Sequence, residues 1–312
     1  MEIRITENDD GKTIRSLTRG ELGFSSAFLK KLKFSEGGIL VNGEPATVRR
    51  VLHTDDILTL AADDAPEDVS PYIVPAPLSL CVLYEDESLT VIDKPPDMPS
   101  HPSLGHKTDT VANALAYRYH DRPYVFRPVN RLDRDTSGVM LTANTRLAAC
   151  RMFHAMQNGE IRKRYIAVSD GIPPQEHGRI ECAIRRADDS IITREICAPD
   201  APGAQCAYTE YRVLACGAGH SVLLCTPHTG RTHQIRVHLA SLGCPLSGDT
   251  LYGAPSEWIS RHALHALTTE FPHPATGRRM TVRAPLPEDI RTLLGALFPA
   301  RAAEILEEIA AI

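Results

Sequence analysis

The sequence predicts an α+β protein, with a mixed, largely antiparallel central sheet and a small α/β module ahead of it, and three observations carry that expectation. Strand-like segments outnumber helical ones and come in runs, which favours a sheet domain over a doubly wound parallel sheet. The chain has 312 residues, 43% of them apolar, enough to bury a sizeable core with room for one appendage. Between the two lies AADDAPEDVSPYIVPAP, residues 61–77, whose acidic residues and closely spaced prolines neither bury themselves nor propagate a helix. The expected division is a module at residues 1–62, a linker at 63–78 and a large domain at 79–312.

In the module, SSAFLKKLKFSEGG sets Phe28, Leu29 and Leu32 at helical spacing, with Lys30, Lys31 and Lys33 beside them and Gly37-Gly38 as a stop. A basic amphipathic helix follows. ILVNGEPATV reads as strand, Asn42-Gly43 turn and strand, and DDILTL as a third strand. In the large domain, SLCVLYEDESLTVIDKP gives two strands around Glu85-Asp86-Glu87. TDTVANALAYRYH gives a helix from Thr108 or Asp109, with Val111, Leu115 and Tyr119 on one side. GVMLTA is a strand, and TRLAACRMFHAMQNG is a helix ended by Gly159. KRYIAVSDG, YTEYRVLACG and HSVLLCTP alternate like strands. THQIRVHLASLGCP is a helix with Ile235, Leu239 and Leu242 on one face, stopped by Gly243 and Pro245.

The net charge of -5 taken as an average argues against a nucleic-acid partner. Local patterning argues the other way. Residues 11–50 hold eight basic residues against three acidic ones, and further clusters stand at Arg162-Lys163-Arg164, Arg231 to Arg236, and Arg278-Arg279. The eight cysteines are scattered without a C-x-x-C spacing, which fits reduced structural thiols in a cytoplasmic protein. There is no apolar run of membrane-spanning length, and the first residues are charged where a signal peptide would be apolar, so no membrane role is expected.

The densest polar segment is RPVNRLDRDTSGVMLTANT, residues 127–145, which packs Arg131, Asp133, Arg134 and Asp135 before a Thr-Ser-Gly turn and an apolar strand. A carboxylate held between arginines at the mouth of a sheet stays ionised, as a nucleophile or base must. A salt-bridged turn capped by Asp135 is the bland alternative.

NRLDRDTSGVMLTANT resembles the segment that carries the catalytic aspartate in the RluA-like family of pseudouridine synthases, H-R-L-D-x-x-T-S-G, with Asn130 where histidine is usual and Asn144 where lysine is common. DKPPDMPSHP, residues 93–102, is similar to the K-P-x-G-x-x-x-H-P element of that family, with Asp97 in place of glycine. KRYIAV resembles its tyrosine-bearing strand, and residues 226–253 resemble its longest signature. The likeness extends to about residue 290. The basic helix and hairpin of the module resemble the S4-like RNA-binding domain, with Ser26 where arginine is usual.

The resemblance implies a pseudouridine synthase fold and an enzyme that isomerises uridine in ribosomal or transfer RNA without cofactor or metal. It implies Asp133 as catalytic carboxylate, Arg231 as its ion-pair partner and Tyr165 as the residue stacked on the uracil. Arg131, Leu132, Thr136, His101 and His233 would contact substrate. The target nucleotide would be extruded from its stack, and the protein is expected to work as a monomer. His228, His233 and His238 recur every five residues, about 500° apart on a helix, so they share no face and hold no metal together. Two other classes compete with this reading. One is a non-catalytic RNA-binding or chaperone protein on the same fold, and the other is a nucleoside hydrolase using Asp133 and Asp135 as a carboxylate pair.

Overall fold

The computed structural model describes all 312 residues. Near the N-terminus, β1 (Glu2–Arg4), α1 (Ile14–Gly20), α2 (Ser26–Phe34), β2 (Ile39–Val41), β3 (Glu44–Pro45) and β4 (Ile57–Leu60) form a separate unit whose sheet runs β1-β4-β2-β3. Asn42 and Gly43 both take positive φ, 53° and 83°, as a tight hairpin requires. Leu29 and Leu32 of α2 join Ile14, Phe24, Leu52 and Leu58 in a core of their own. The sequence reading found α2 and the hairpin but assigned neither β1 nor α1.

Residues 63–78 are strapped down more firmly than their composition suggests. Asp64 ion-pairs with Arg127, and Asp68 pairs with both Lys31 and Arg146. Arg146 also lies 4.3 Å over the Phe28 ring. Proline prevents helix propagation here, as expected, yet the carboxylates bolt the segment to both of its neighbours.

The remaining strands build one ten-stranded sheet. In chain order they are β5 (Cys81–Glu85), β6 (Leu89–Lys94), β7 (Ser137–Ala143), β8 (Arg162–Asp170), β9 (His177–Arg186), β10 (Arg194–Cys197), β11 (Gln205–Gly217), β12 (His220–Pro227), β13 (Leu264–Pro272) and β14 (Arg279–Arg283). Their spatial order is β10-β9-β11-β12-β8-β13-β7-β6-β5, with β14 paired to the far half of β13. All pairings are antiparallel except β13 with β7. That parallel contact is close. A side chain on Gly138 would stand 2.2 Å from the Ala266 carbonyl oxygen, and Gly138 has φ of 108°, so both sterics and backbone demand glycine.

Helices cover the sheet on both faces: α3 (Val111–Arg118) and α5 (Gln234–Ser241) on one, and α6 (Glu288–Leu297) and α7 (Ala302–Ala311) on the other, with α4 (Arg146–Gln157) packed beside β7 and β13. Strand alternation divides β8 between the two cores. Tyr165 and Ala167 face the first, while Ile166 and Val168 face the second. α3 begins after Thr110, whose side chain caps the Asn113 amide, slightly later than expected. α5 begins at Gln234 after a left-handed His233.

Candidate active site

A cavity of about 580 Å³ opens where the loop before β7, the middle of β8 and the start of α5 converge. Asp133 is the sole acidic residue on its wall, against six basic ones: Arg131, Arg134, Lys163, Arg194, Arg231 and Arg236. All the residues expected at a site line this cavity, namely Asp133, Tyr165, Arg231, Arg131, Leu132, Thr136, His101 and His233. Asp135 is absent from its lining. It accepts instead from the Arg134 guanidinium at 3.1 Å, so a two-carboxylate hydrolytic pair is not assembled.

The loop around Asp133 is held from every side. Asn130 accepts from the Leu141 amide at 2.8 Å, and Ser100 Oγ donates to the Leu132 carbonyl. Lys94 donates to the carbonyls of Pro95, Met98 and Arg134. Burial pulls the Lys94 pKa down to about 7, with Asp135 the main charge opposing the fall. Arg261, anchored by Asp289, donates to the Asp135 carbonyl at 2.8 Å. His262 bonds Thr136 and His265 bonds Ser137, at 2.8 and 2.9 Å, which gives both histidines a hydrogen-bonding task next to Asp133. Burial pushes both imidazoles down to about 4, so they are neutral at pH 7.

The ion pair differs from expectation. Arg236 Nη1 lies 3.6 Å from Asp133 Oδ2, whereas Arg231 is exposed and donates its Nε to the Cys206 carbonyl. Arg236 is 6% exposed at its side chain, Asp133 27% and Asp249 0%. Arg236 also grips Asp249 through two bonds of 2.7 Å. Burial alone would raise the Asp249 carboxyl, but the Arg236 guanidinium more than reverses this and holds it below the usual carboxylate range. Asp249 therefore fixes the guanidinium, and the guanidinium reaches Asp133.

Sequence reasoning took the first arginine of the GRTHQIR segment and missed the second. The signal was present. Arg236 sits between Ile235, Val237 and Leu239 on a helix that must pack inward, so its charge needed a buried partner, and Asp249 stood 13 residues on.

Gln234 explains the shape of the turn before α5. Its side chain donates to Tyr208 O and Thr209 Oγ1 and accepts from Thr229 Oγ1 and the Arg231 amide. This sets His233 at φ of 59°, where its Nδ1 bonds the Tyr252 hydroxyl at 2.8 Å. Tyr165 projects from β8 into the cavity with its hydroxyl unbonded within the protein. Burial first, and the Asp133 charge second, push its pKa above the usual range, so the phenol is neutral. The arrangement offers one oriented carboxylate, a planar aromatic wall and a cationic rim.

Asp97 and Asn144 occupy positions where the resembled family has other residues, and each has a local reason. Asp97 takes a left-handed φ of 56°, a conformation glycine enters freely and aspartate tolerates. Asn144 is buried, accepting from Thr90 and donating to the Asp86 carbonyl.

Comparison with known proteins accords with this site. The family model for RNA pseudouridylate synthase matches residues 88–241. The uncharacterized RNA pseudouridine synthase YjbO of Bacillus subtilis is 40% identical over 277 residues, covering 88% of this chain and 96% of that protein. The ribosomal large subunit pseudouridine synthase D of Pseudomonas aeruginosa is 34% identical over 278 residues, 84% of each chain. The structure titled human RNA pseudouridylate synthase domain containing 1 superposes with a TM-score of 0.55 at 27% identity, over 67% of this chain and 84% of that one. No helix is long and apolar enough to cross a membrane. With a lone carboxylate in a cationic cavity and relatives matched along most of their length, this chain belongs to the RNA pseudouridine synthase family, isomerases of uridine in RNA.

Proposed function

We propose that this enzyme modifies uridine in large-subunit ribosomal RNA, with Asp133 as its essential carboxylate. The observation that carries the assignment is that Asp133 alone supplies negative charge to a cavity ringed by six cations, one of which, Arg236, faces it at 3.6 Å. Ribosomal RNA is chosen because several relatives bear the name ribosomal large subunit pseudouridine synthase D.

The reaction breaks the bond between N1 of uracil and C1′ of ribose, turns the base, and joins C5 to C1′. The C5 proton is lost and N1 gains one, so atoms balance without a redox partner or cofactor. Asp133 serves either as nucleophile at C1′ or as base on the ribose. Arg236, fixed by Asp249, faces that carboxylate and holds it aimed. Tyr165, neutral and buried, stacks on the extruded uracil. Arg231 is reassigned from carboxylate partner to backbone-phosphate contact, alongside Arg131 and Arg134. Leu132, Thr136, His101 and His233 shape the cavity around the nucleotide. The N-terminal 62 residues, with Lys30 and Lys33 on α2, act as an S4-like grip on RNA, and the protein works as a cytoplasmic monomer.

The test is Asp133→Asn on transcribed ribosomal RNA, with pseudouridines mapped by chemical labelling. Conversion is expected to fall by at least about a thousandfold while RNA affinity stays within about twofold. Conversion near the wild-type rate would remove Asp133 from the chemistry, and wild-type protein that binds RNA but converts none would make the chain a binding protein.

A further inference from the structure

Lys163 is a buried cation that the mechanism above does not use. It precedes Tyr165 by two residues on β8, so both side chains leave the same face of the strand toward the cavity. It is 9% exposed. Among all ion pairs and hydrogen bonds in the chain, none involves its ammonium group, in contrast to the buried Lys94 with its three carbonyls. No carboxylate lies within ion-pair distance of it, Asp133 pairing with Arg236 instead, and burial lowers its pKa. An isolated buried ammonium disfavours the folded chain unless a ligand completes it.

Gly230 lies beside the ammonium: a Cβ built there would stand 3.8 Å from Lys163 Nζ, in ordinary contact. Gly230 and the adjoining Arg231 both line the cavity.

We propose that Lys163 is an anion subsite for one phosphodiester of the RNA strand next to the extruded nucleotide. The inference rests on the RNA-modifying reading above. A phosphate carries full charge before, during and after the reaction, and so compensates the ammonium throughout binding. A uracil carbonyl is neutral in the bound substrate and would leave it uncompensated. A nucleotide turned into a cavity necessarily brings its backbone to that cavity's wall, and the ammonium is a point-charge donor that meets a phosphate oxygen from any direction.

Full-length wild-type, K163M and K163R proteins test this by melting temperature in chloride and in inorganic phosphate at equal ionic strength. K163M is expected to melt higher than wild type in chloride, because an unpartnered charge is gone, and to gain less from phosphate, whereas K163R keeps the gain. On transcribed large-subunit ribosomal RNA, K163M should raise KM about tenfold with kcat within twofold, and K163R should restore KM. Equal phosphate gains in wild type and K163M would overturn the subsite. So would a fall in kcat at unchanged KM, which would give Lys163 to the base instead. If wild type isomerises no RNA while the phosphate gain still depends on Lys163, the subsite stands and the functional reading fails.

Discussion

The two walls of the cavity are built on opposite plans. On the Asp133 side, Asn130, Leu132, Arg134, Asp135, Thr136 and Ser137 are all bonded by groups from other segments. On the other side, Lys163 and the Tyr165 hydroxyl have no partner within the protein, and Arg231 spends a single N–H on a carbonyl. The first wall spends its hydrogen bonds on geometry before substrate arrives, which is what positioning a reacting carboxylate requires. On the second, Lys163, the Tyr165 hydroxyl and most of the Arg231 guanidinium stay free for a ligand, while Gln234 and Arg236 of α5 are tied to the protein. A substitution on the bonded wall should therefore lower stability and turnover together, and one on the open wall should spare stability.

The largest effect is expected at Arg236. Arg236→Met removes the partner of Asp133 and leaves Asp249, wholly buried, without a counter-charge. Stability should fall by about 3–5 kcal/mol, as when one member of a buried pair is deleted, and isomerisation should be lost. Adding Asp249→Leu separates the two roles. The double variant should recover most of the melting temperature, because the orphaned charge is gone, and still be inactive. Recovery of activity in the double variant would show that Arg236 serves the fold alone.

Lys94 comes next. Lys94→Met strands the carbonyls of Pro95, Met98 and Arg134, and the penalty for buried unsatisfied acceptors predicts a loss of about 2–4 kcal/mol. The loop bearing Asp133 is tied by that Arg134 carbonyl, so kcat should fall more than KM rises. The contrast with Lys163→Met, another buried lysine changed the same way but with the opposite expected sign in stability, is the sharpest check on the two-wall description. Unfolding curves of the two variants under one condition decide it.

The division of labour between the walls was only partly legible in the sequence. Periodicity located β6, β7, β8, β11, β12 and most of α4, because those elements bury a continuous apolar face and carry clear stops such as Asn158-Gly159. It left β9, β10, β13, β14, α6 and α7 unassigned. β10 is a short, evenly half-buried edge strand, β9 beside it shows no regular alternation of burial, and β13 is buried along nearly its whole length, so none offers the contrast between faces that a pattern needs. The identity of the site followed from ordered motifs, whereas its wiring did not. Motif order placed Asp133, Tyr165 and an arginine together, but choosing between Arg231 and Arg236 depended on knowing that Asp249 folds back onto α5, a contact across a turn that no local rule encodes. His262 and His265 likewise bond Thr136 and Ser137, which lead into β7, a link across more than 120 residues that no local pattern encodes.

Those histidines give the smallest effect, spread over a defined acid window. His238, His262 and His265 have folded-state pKa values pushed down to about 4 by burial, against an ordinary 6.5. The unfolded chain therefore binds more protons than the folded chain between these values. Stability rises with pH through that window and is lost as pH falls from 6.5 toward 4, by on the order of 2–3 kcal/mol for each histidine. Replacing His265 with glutamine, which can still meet Ser137 but cannot take up a proton, should flatten the acid limb by roughly a third relative to wild type in chemical denaturation followed from pH 7 to pH 4. His262→Gln should flatten it similarly and, through Thr136, also lower kcat at neutral pH. His238 bonds Thr209, which also accepts from Gln234, so His238→Gln should change the acid limb and lower kcat at pH 7 by less than His262→Gln does. A drop in neutral-pH turnover for His238→Gln as large as for His262→Gln would mean that the bonded wall extends through α5, and that the two sides of the cavity are less independent than their hydrogen bonds indicate.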